Sequence, residues 1–114
     1  MVYTNNNVPM GVSADVLGGM LLEISGDGTV AEAAADSTKV LGVAYADAKL
    51  ALNEKVAVVT GVEVELTASG AITAGDKVKA GAGSTVVTGA TADQAIGMAL
   101  NDAADTEKVR VLLK

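Results

Sequence analysis

Leu41-Gly42-Val43-Ala44-Tyr45-Ala46-Asp47-Ala48 returns 55 residues further on as Ile96-Gly97-Met98-Ala99-Leu100-Asn101-Asp102-Ala103. Gly, Ala, Asp and Ala recur in the same places, and Leu/Ile and Val/Met are conservative exchanges. Downstream, Glu54-Lys55-Val56-Ala57-Val58 matches Glu107-Lys108-Val109-Arg110-Val111 at an offset of 53. Upstream, Ser13, Gly19 and Leu22 meet Ser69, Gly75 and Val78 at an offset of 56. Matched Ala means little in an Ala-rich chain, but Gly, Asp and Glu-Lys-Val-x-Val in one order mark an internal repeat. Two copies are too few for a solenoid, which needs about three to bury a continuous core. They fit two β-units packed face to face with pseudo-twofold symmetry, the halves running over residues 15–60 and 69–114. In each half the Leu/Ile-Gly-x-Ala segment reads as a buried strand whose Gly lets another backbone come close. Glu-Lys-Val-x-Val reads as a strand returning from a polar loop.

The stretches around the repeat motifs carry strand and turn signals. Val62-Glu63-Val64-Glu65-Leu66 alternates apolar and acidic residues, the period of a half-buried strand. Lys55–Val59 and Lys108–Leu113 are Val-rich strands, and Met20–Ile24, Lys77–Lys79 and Ser84–Thr88 are further candidates. Gly26-Asp27-Gly28, Ser69-Gly70, Gly75-Asp76, Gly81-Ala82-Gly83 and Gly89 supply turns between them. Many short strands punctuated by Gly predict an all-β fold, a small β-sandwich or barrel. Val30-Ala31-Glu32-Ala33-Ala34-Ala35-Asp36 runs against this pattern through its helix propensity, but it is too short to be stable alone. It is expected to be a loop with at most one helical turn.

With 114 residues the chain has room for one domain. Half of its residues are apolar, yet it has two Tyr, no Phe and no Trp, so the core must be built from Val, Leu, Ile, Met and Ala. Cys and His are both absent. That removes disulfides, thiolate and imidazole metal sites and every Ser-His or Cys-His catalytic arrangement. Eight Lys and Arg stand against fourteen Asp and Glu, a net charge of −6. Nucleic-acid binding needs a basic stripe and stacking aromatics, and neither is present. The N-terminus lacks the basic and apolar regions of a signal peptide, and no run approaches the apolar length of a membrane span. A protein made and kept in a cytoplasm, without nucleic-acid or membrane partners, is the expectation.

Carboxylate chemistry is what remains for an enzyme. Glu63 and Glu65 share one side of a strand, and Asp102, Asp105 and Glu107 share one loop. A general-acid pair or a hard-cation site would use such oxygens, and a solvated strand face and loop account for them equally. Gly81-Ala82-Gly83-Ser84-Thr85 lacks the Lys of a phosphate-binding loop and leads into a strand, so it reads as a turn. Gly75-Asp76-Lys77-Val78-Lys79 resembles a turn of biotinyl and lipoyl carrier domains, but neither Lys49 nor Lys77 has the setting of a carrier lysine. Met10, Met20 and Met98 read as core or contact residues. Tyr45 is expected to pack with its hydroxyl at the surface. No catalytic residue, cofactor site or metal site follows.

Residues 1–14 differ from the rest, with three consecutive Asn, the single Pro and no charged side chain before Asp15. They read as an extended arm leading into a single β domain over residues 15–114. A frayed terminus is one reading of it. The other is an arm that lies against a neighbour, because uncharged residues can be buried on protein without desolvating a charge. Tyr3, Asn5, Asn6, Asn7, Val8, Pro9 and Met10 are then its contact residues, and removing residues 1–12 is expected to leave the β domain folded.

The Gly75-Asp76-x-Val78-x-x-Gly81 turn, the Ile96-Gly97-x-Ala99-Leu100 strand and the closing Val109-x-Val111-Leu112-Leu113 strand together resemble the head decoration, or capsid-cement, proteins of tailed bacteriophages. The resemblance extends from about residue 12 to the end. It implies a β domain on the outer surface of an assembled virion shell, with the major capsid protein as partner. It also implies a homo-oligomer, a trimer by preference, that clamps capsid subunits and uses a terminal arm. It implies no cofactor. A virion-displayed adhesin-like or carbohydrate-binding β domain is the alternative, disfavoured by two Tyr and no Trp.

Overall fold

The structure is a computed structural model that describes residues 7–113. Ten strands follow one another: β1 (Asn7–Val12), β2 (Leu21–Gly26), β3 (Thr29–Glu32), β4 (Val40–Ala44), β5 (Lys55–Val59), β6 (Glu63–Ala68), β7 (Lys77–Ala80), β8 (Thr85–Thr88), β9 (Gly97–Ala99) and β10 (Lys108–Leu113). Among the described residues a single 3-10 turn, Leu50–Leu52, interrupts the run. Period-2 burial is clearest on β10, where Val109, Val111 and Leu113 point inward and Lys108, Arg110 and Leu112 point out. Val-rich strands suit a pleated surface buried on one face.

The strands close into two barrels of five, in the order β1-β3-β2-β4-β5 and β6-β8-β7-β9-β10. Each half of the repeat is one barrel, and the correspondence runs strand by strand. The first strand of each barrel lies parallel to the third and antiparallel to the fifth. Isolated bridges Val16–Ala48 and Ile72–Ala103 recur in matching loops. A five-stranded barrel has a narrow bore, which explains a core of Val, Ala and Leu with no large aromatic. Closure also removes the exposed strand edges that would template aggregation.

The shared Gly of the Leu/Ile-Gly-x-Ala segments has a steric cause. A Cβ on Gly42 would run into the carbonyl oxygen of Val59, and one on Gly97 into that of Leu112. Strands β4 and β9 therefore approach their neighbours β5 and β10 at a distance that only Gly permits.

Two segments differ from the sequence reading. Val30–Glu32 lies in β3, not in a loop with a helical turn. Val30 is fully buried, and the Gly26-Asp27-Gly28 turn folds β3 back onto β2 with Ile24 opposite Val30. Tertiary packing of one Val overrides the helix propensity of the Ala run that follows it. Asn7–Val12, within the segment read as an arm, is the first strand of barrel 1, paired with β5 from Asn7–Val59 to Gly11–Lys55. The repeat thus begins before Ser13, and removal of residues 1–12 would take out a barrel strand.

The barrels meet through unlike faces. Leu21, Ala33 and Val43, on the outside of barrel 1, are buried in the same apolar cluster as Leu66, Val78, Ala80, Ile96 and Leu113 of barrel 2. The interior of barrel 1, with Leu22, Val30, Val56 and Val58, is a separate cluster. Around the joint the Leu21 N–H donates to Ser84 Oγ (3.1 Å), and the Ser84 hydroxyl donates to Glu32 Oε2 (2.7 Å). The Asp36 N–H donates to the Ala80 carbonyl (2.9 Å), and Lys79 pairs with the Asp36 carboxylate at 2.9 Å.

Candidate functional site

The acidic residues were the candidates for chemistry, and the structure engages most of them with backbone N–H groups. Asp47 Oδ1 accepts from Gly18 N–H (2.7 Å), and Asp102 Oδ1 accepts from Ala74 N–H (2.8 Å) at the matching place in barrel 2. Glu54 Oε1 accepts from Lys49 N–H and Glu107 Oε1 from Ala104 N–H, each at 2.8 Å. Asp15 ties down Leu50 N–H and Asp105 ties down Gly70 N–H. The Asp and Glu that made the repeat recognisable are therefore loop fasteners, present twice because each barrel has the same loops to close. Charged acceptors make the stronger class of hydrogen bond, and each one satisfies a donor that no strand partner reaches.

Glu63 is engaged differently. Arg110 Nε and a terminal guanidinium nitrogen donate to its two oxygens at 2.6 and 3.0 Å. That pair of bonds, with the opposite charge adding to it, holds the Glu63 carboxyl below its ordinary pKa and raises that of Arg110. The Glu23 carboxyl is also lowered, chiefly by the Ala34 N–H bond (2.8 Å), with Ser37 and Lys39 assisting and partial burial opposing. Both Glu63 and Glu23 are thus held toward the ionised form. Among the described residues, no group of three or more Asp or Glu is placed to hold a metal ion. No helix among them is long and apolar enough to cross a membrane.

Of the contact residues expected from the sequence, Tyr3, Asn5 and Asn6 lie outside the described residues. Asn7, Val8 and Pro9 are exposed on β1, and Met10 is half-buried at the rim of the barrel 1 core. The structure adds Leu17, Leu50 and Leu52, exposed apolar residues that sequence reasoning did not single out, and shows which of the sequence candidates are exposed. Leu17, Leu50 and Leu52 are exposed at one end of barrel 1, together with Tyr45, which is 72% exposed and not packed as expected. The Asp47–Gly18 and Asp15–Leu50 bonds and the Val16–Ala48 bridge interlock the loops that carry them. In barrel 2 the matching loop is two residues shorter: Asn53 (φ 54°) and Thr106 (φ 70°) close the two loops alike, but Asp105 alone stands where Leu50-Ala51-Leu52 does. Comparing the repeat loops for length would have exposed that insertion. A second group, Met98 and Leu112, is exposed on the outside of barrel 2 beside Lys77.

Two small barrels with fastened loops, a surface bearing apolar side chains and carboxylates tied to backbone describe a binding and building module. The chain matches the phage cement protein family over residues 3–114 and belongs to that family. It is a structural, capsid-associated virion protein. Its fold is similar to the solved head fiber gp8.5 N base of bacteriophage phi29, with a TM-score of 0.70 at 19% identity over 95% of this chain and 92% of that one. No curated protein matches the chain.

Proposed function

We propose that the chain binds the outer surface of an assembled capsid and stabilises it by bridging neighbouring major capsid protein subunits, as a homo-oligomer and by preference a trimer. Family membership across nearly the whole chain carries this reading. The physical character of the molecule supports it: closed barrels with satisfied loops resist deformation, and a shell contact needs complementary surface rather than a reacting group. A chain repeated over a shell gains avidity, so each contact can be weak. The acidic balance disfavours capture by free nucleic acid during assembly.

Tyr3, Asn5, Asn6, Asn7, Val8, Pro9 and Met10 are proposed as the contact with capsid or neighbour. Uncharged side chains there would attach through main-chain pairing and apolar burial. Cosedimentation with purified capsids lacking the chain tests this reading. Saturable binding, together with heads that survive heat or osmotic shock better, is the expected result. A chain beginning at residue 7 keeps every barrel strand and should bind more weakly. Absence of binding by the intact chain would overturn the capsid reading. Glycan binding abolished by Tyr45→Ala would replace it with carbohydrate recognition, the reading that the exposed Tyr45 ring would favour.

A further inference from the structure

The two barrels are built alike but are not covered alike, and the repeat shows what is missing. On barrel 1, Leu21 pairs with Val43 and Leu22 with Gly42; on barrel 2, Lys77 pairs with Met98 and Val78 with Gly97. Lys77, Gly89 and Met98 therefore occupy the places of Leu21, Ala33 and Val43. The barrel 1 trio is at most 7% exposed because barrel 2 sits on it. Its barrel 2 counterpart is open: Met98 is 44% exposed and the adjoining Leu112, in the place of Val59, is 48% exposed.

The receiving surface shows the complementary deficit. Leu66, Ala80 and Ile96 of barrel 2 lie at the joint and are nearly fully buried. Their barrel 1 equivalents are Met10, Ile24 and Leu41, which are only half-buried at the rim of the barrel 1 core. Among the described residues, each chain thus makes one contact of this kind internally and retains one unused half of it at either end. We propose that the Met98–Leu112 face of one copy docks on the Met10–Ile24–Leu41 end of barrel 1 of a second copy, repeating between chains the contact that joins the barrels within one.

Charge agrees with this occupant. Position 21 lies against position 84 within the chain, through the Leu21 N–H to Ser84 Oγ bond. The equivalent pair between copies sets Lys77 against the Gly26-Asp27-Gly28 turn, whose Asp27 is exposed. The free apolar face therefore brings its cation to the acid of the end it would cover. The contact uses different surfaces on its two sides, so it closes into a ring or runs on without limit. A trimer of the kind proposed above would be the closed form.

This inference deepens the homo-oligomer part of the proposed function and is tested without capsid. Light scattering and native mass spectrometry of the full chain should give a closed oligomer, three chains by preference. Met98→Asp with Leu112→Asp, both at exposed positions, should yield a folded monomer. Asp27→Lys, or Met10→Lys if the first is too mild, should do the same from the opposite side. Mixing the two blocked proteins should then give a one-to-one dimer, because one intact head and one intact tail remain. A wild-type chain that stays monomeric at its highest soluble concentration overturns the proposal, as does a double variant that keeps the wild-type mass. A monomeric wild type whose Met98/Leu112 variant no longer binds capsids also overturns it, by giving that face to the capsid protein. A normal oligomer that fails to bind capsids counts against the capsid reading alone.

Discussion

Glu23 shows how a carboxylate is used in this molecule. Its oxygen holds the Ala34 N–H at the end of β3, and that bond depresses its pKa below the ordinary 4.5. A carboxyl whose folded pKa is depressed adds stability that is fully present above the unfolded value, and that is lost as the pH falls through the folded one. The urea midpoint should therefore fall as the pH drops through the ordinary value of 4.5 and on through the lowered folded value of Glu23. Glu23→Gln should flatten that fall. An equally steep loss in the variant would show that other groups dominate, Glu63 with its Arg110 partner being the first to test. The glycines of the repeat make a second residue-scale case. Gly42→Ala and Gly97→Ala each push a methyl group into a neighbouring carbonyl, and should each cost about 1–3 kcal/mol by chemical denaturation. These positions were legible from sequence because the same Gly appears twice in one context. The role of Asp47 and Asp102 was not, since a motif shows that a residue recurs and not which N–H it reaches.

At the scale of elements, the strands read correctly were those whose burial follows the local pattern. Lys55–Val59 and Lys108–Leu113 have the bounds expected, because alternating Val leaves one solution for which face goes in. The two strands missed both depend on partners far away in the chain. Asn7–Val12, with Pro9 and Gly11, reads as part of an extended arm, but its pairing with β5 makes it a barrel strand. Val30–Glu32 looks helical until Ile24 is placed across from it. The loop fasteners belong to this scale as well. Asp102→Ala releases the Ala74 N–H and should lower stability by about 1 kcal/mol, with the loss of hydrogen-exchange protection centred on residues 72–76. Asp47→Ala should act alike on the Gly18 loop of barrel 1. Protection lost evenly over both barrels would mean that these carboxylates do more than close loops.

At the scale of the molecule, a single face decides whether the barrels are independent. The repeat suggests halves packed face to face about a pseudo-twofold; the structure joins them through unlike faces instead, because the residues at the joint are where the halves differ. Leu21 and Val43 have Lys77 and Met98 as counterparts, and such mismatches lower a repeat score instead of raising it. Leu21 belongs to a barrel 1 strand, yet its side chain is buried in the apolar cluster of barrel 2. Its truncation should therefore be felt across the joint. Leu21→Ala should cost about 2–5 kcal/mol, the range for a buried Leu. The amides of Val109 and Val111, in barrel 2, should lose exchange protection along with those of barrel 1. Lys77→Ala removes an exposed side chain from the matching place and should leave the stability of an isolated chain within about 0.5 kcal/mol of wild type. Should Leu21→Ala instead weaken barrel 1 alone, the barrels are separate folding units that merely touch. Loss in both would show that the shared cluster makes them one cooperative body, a rigid two-barrel block with one face already used and its counterpart left open.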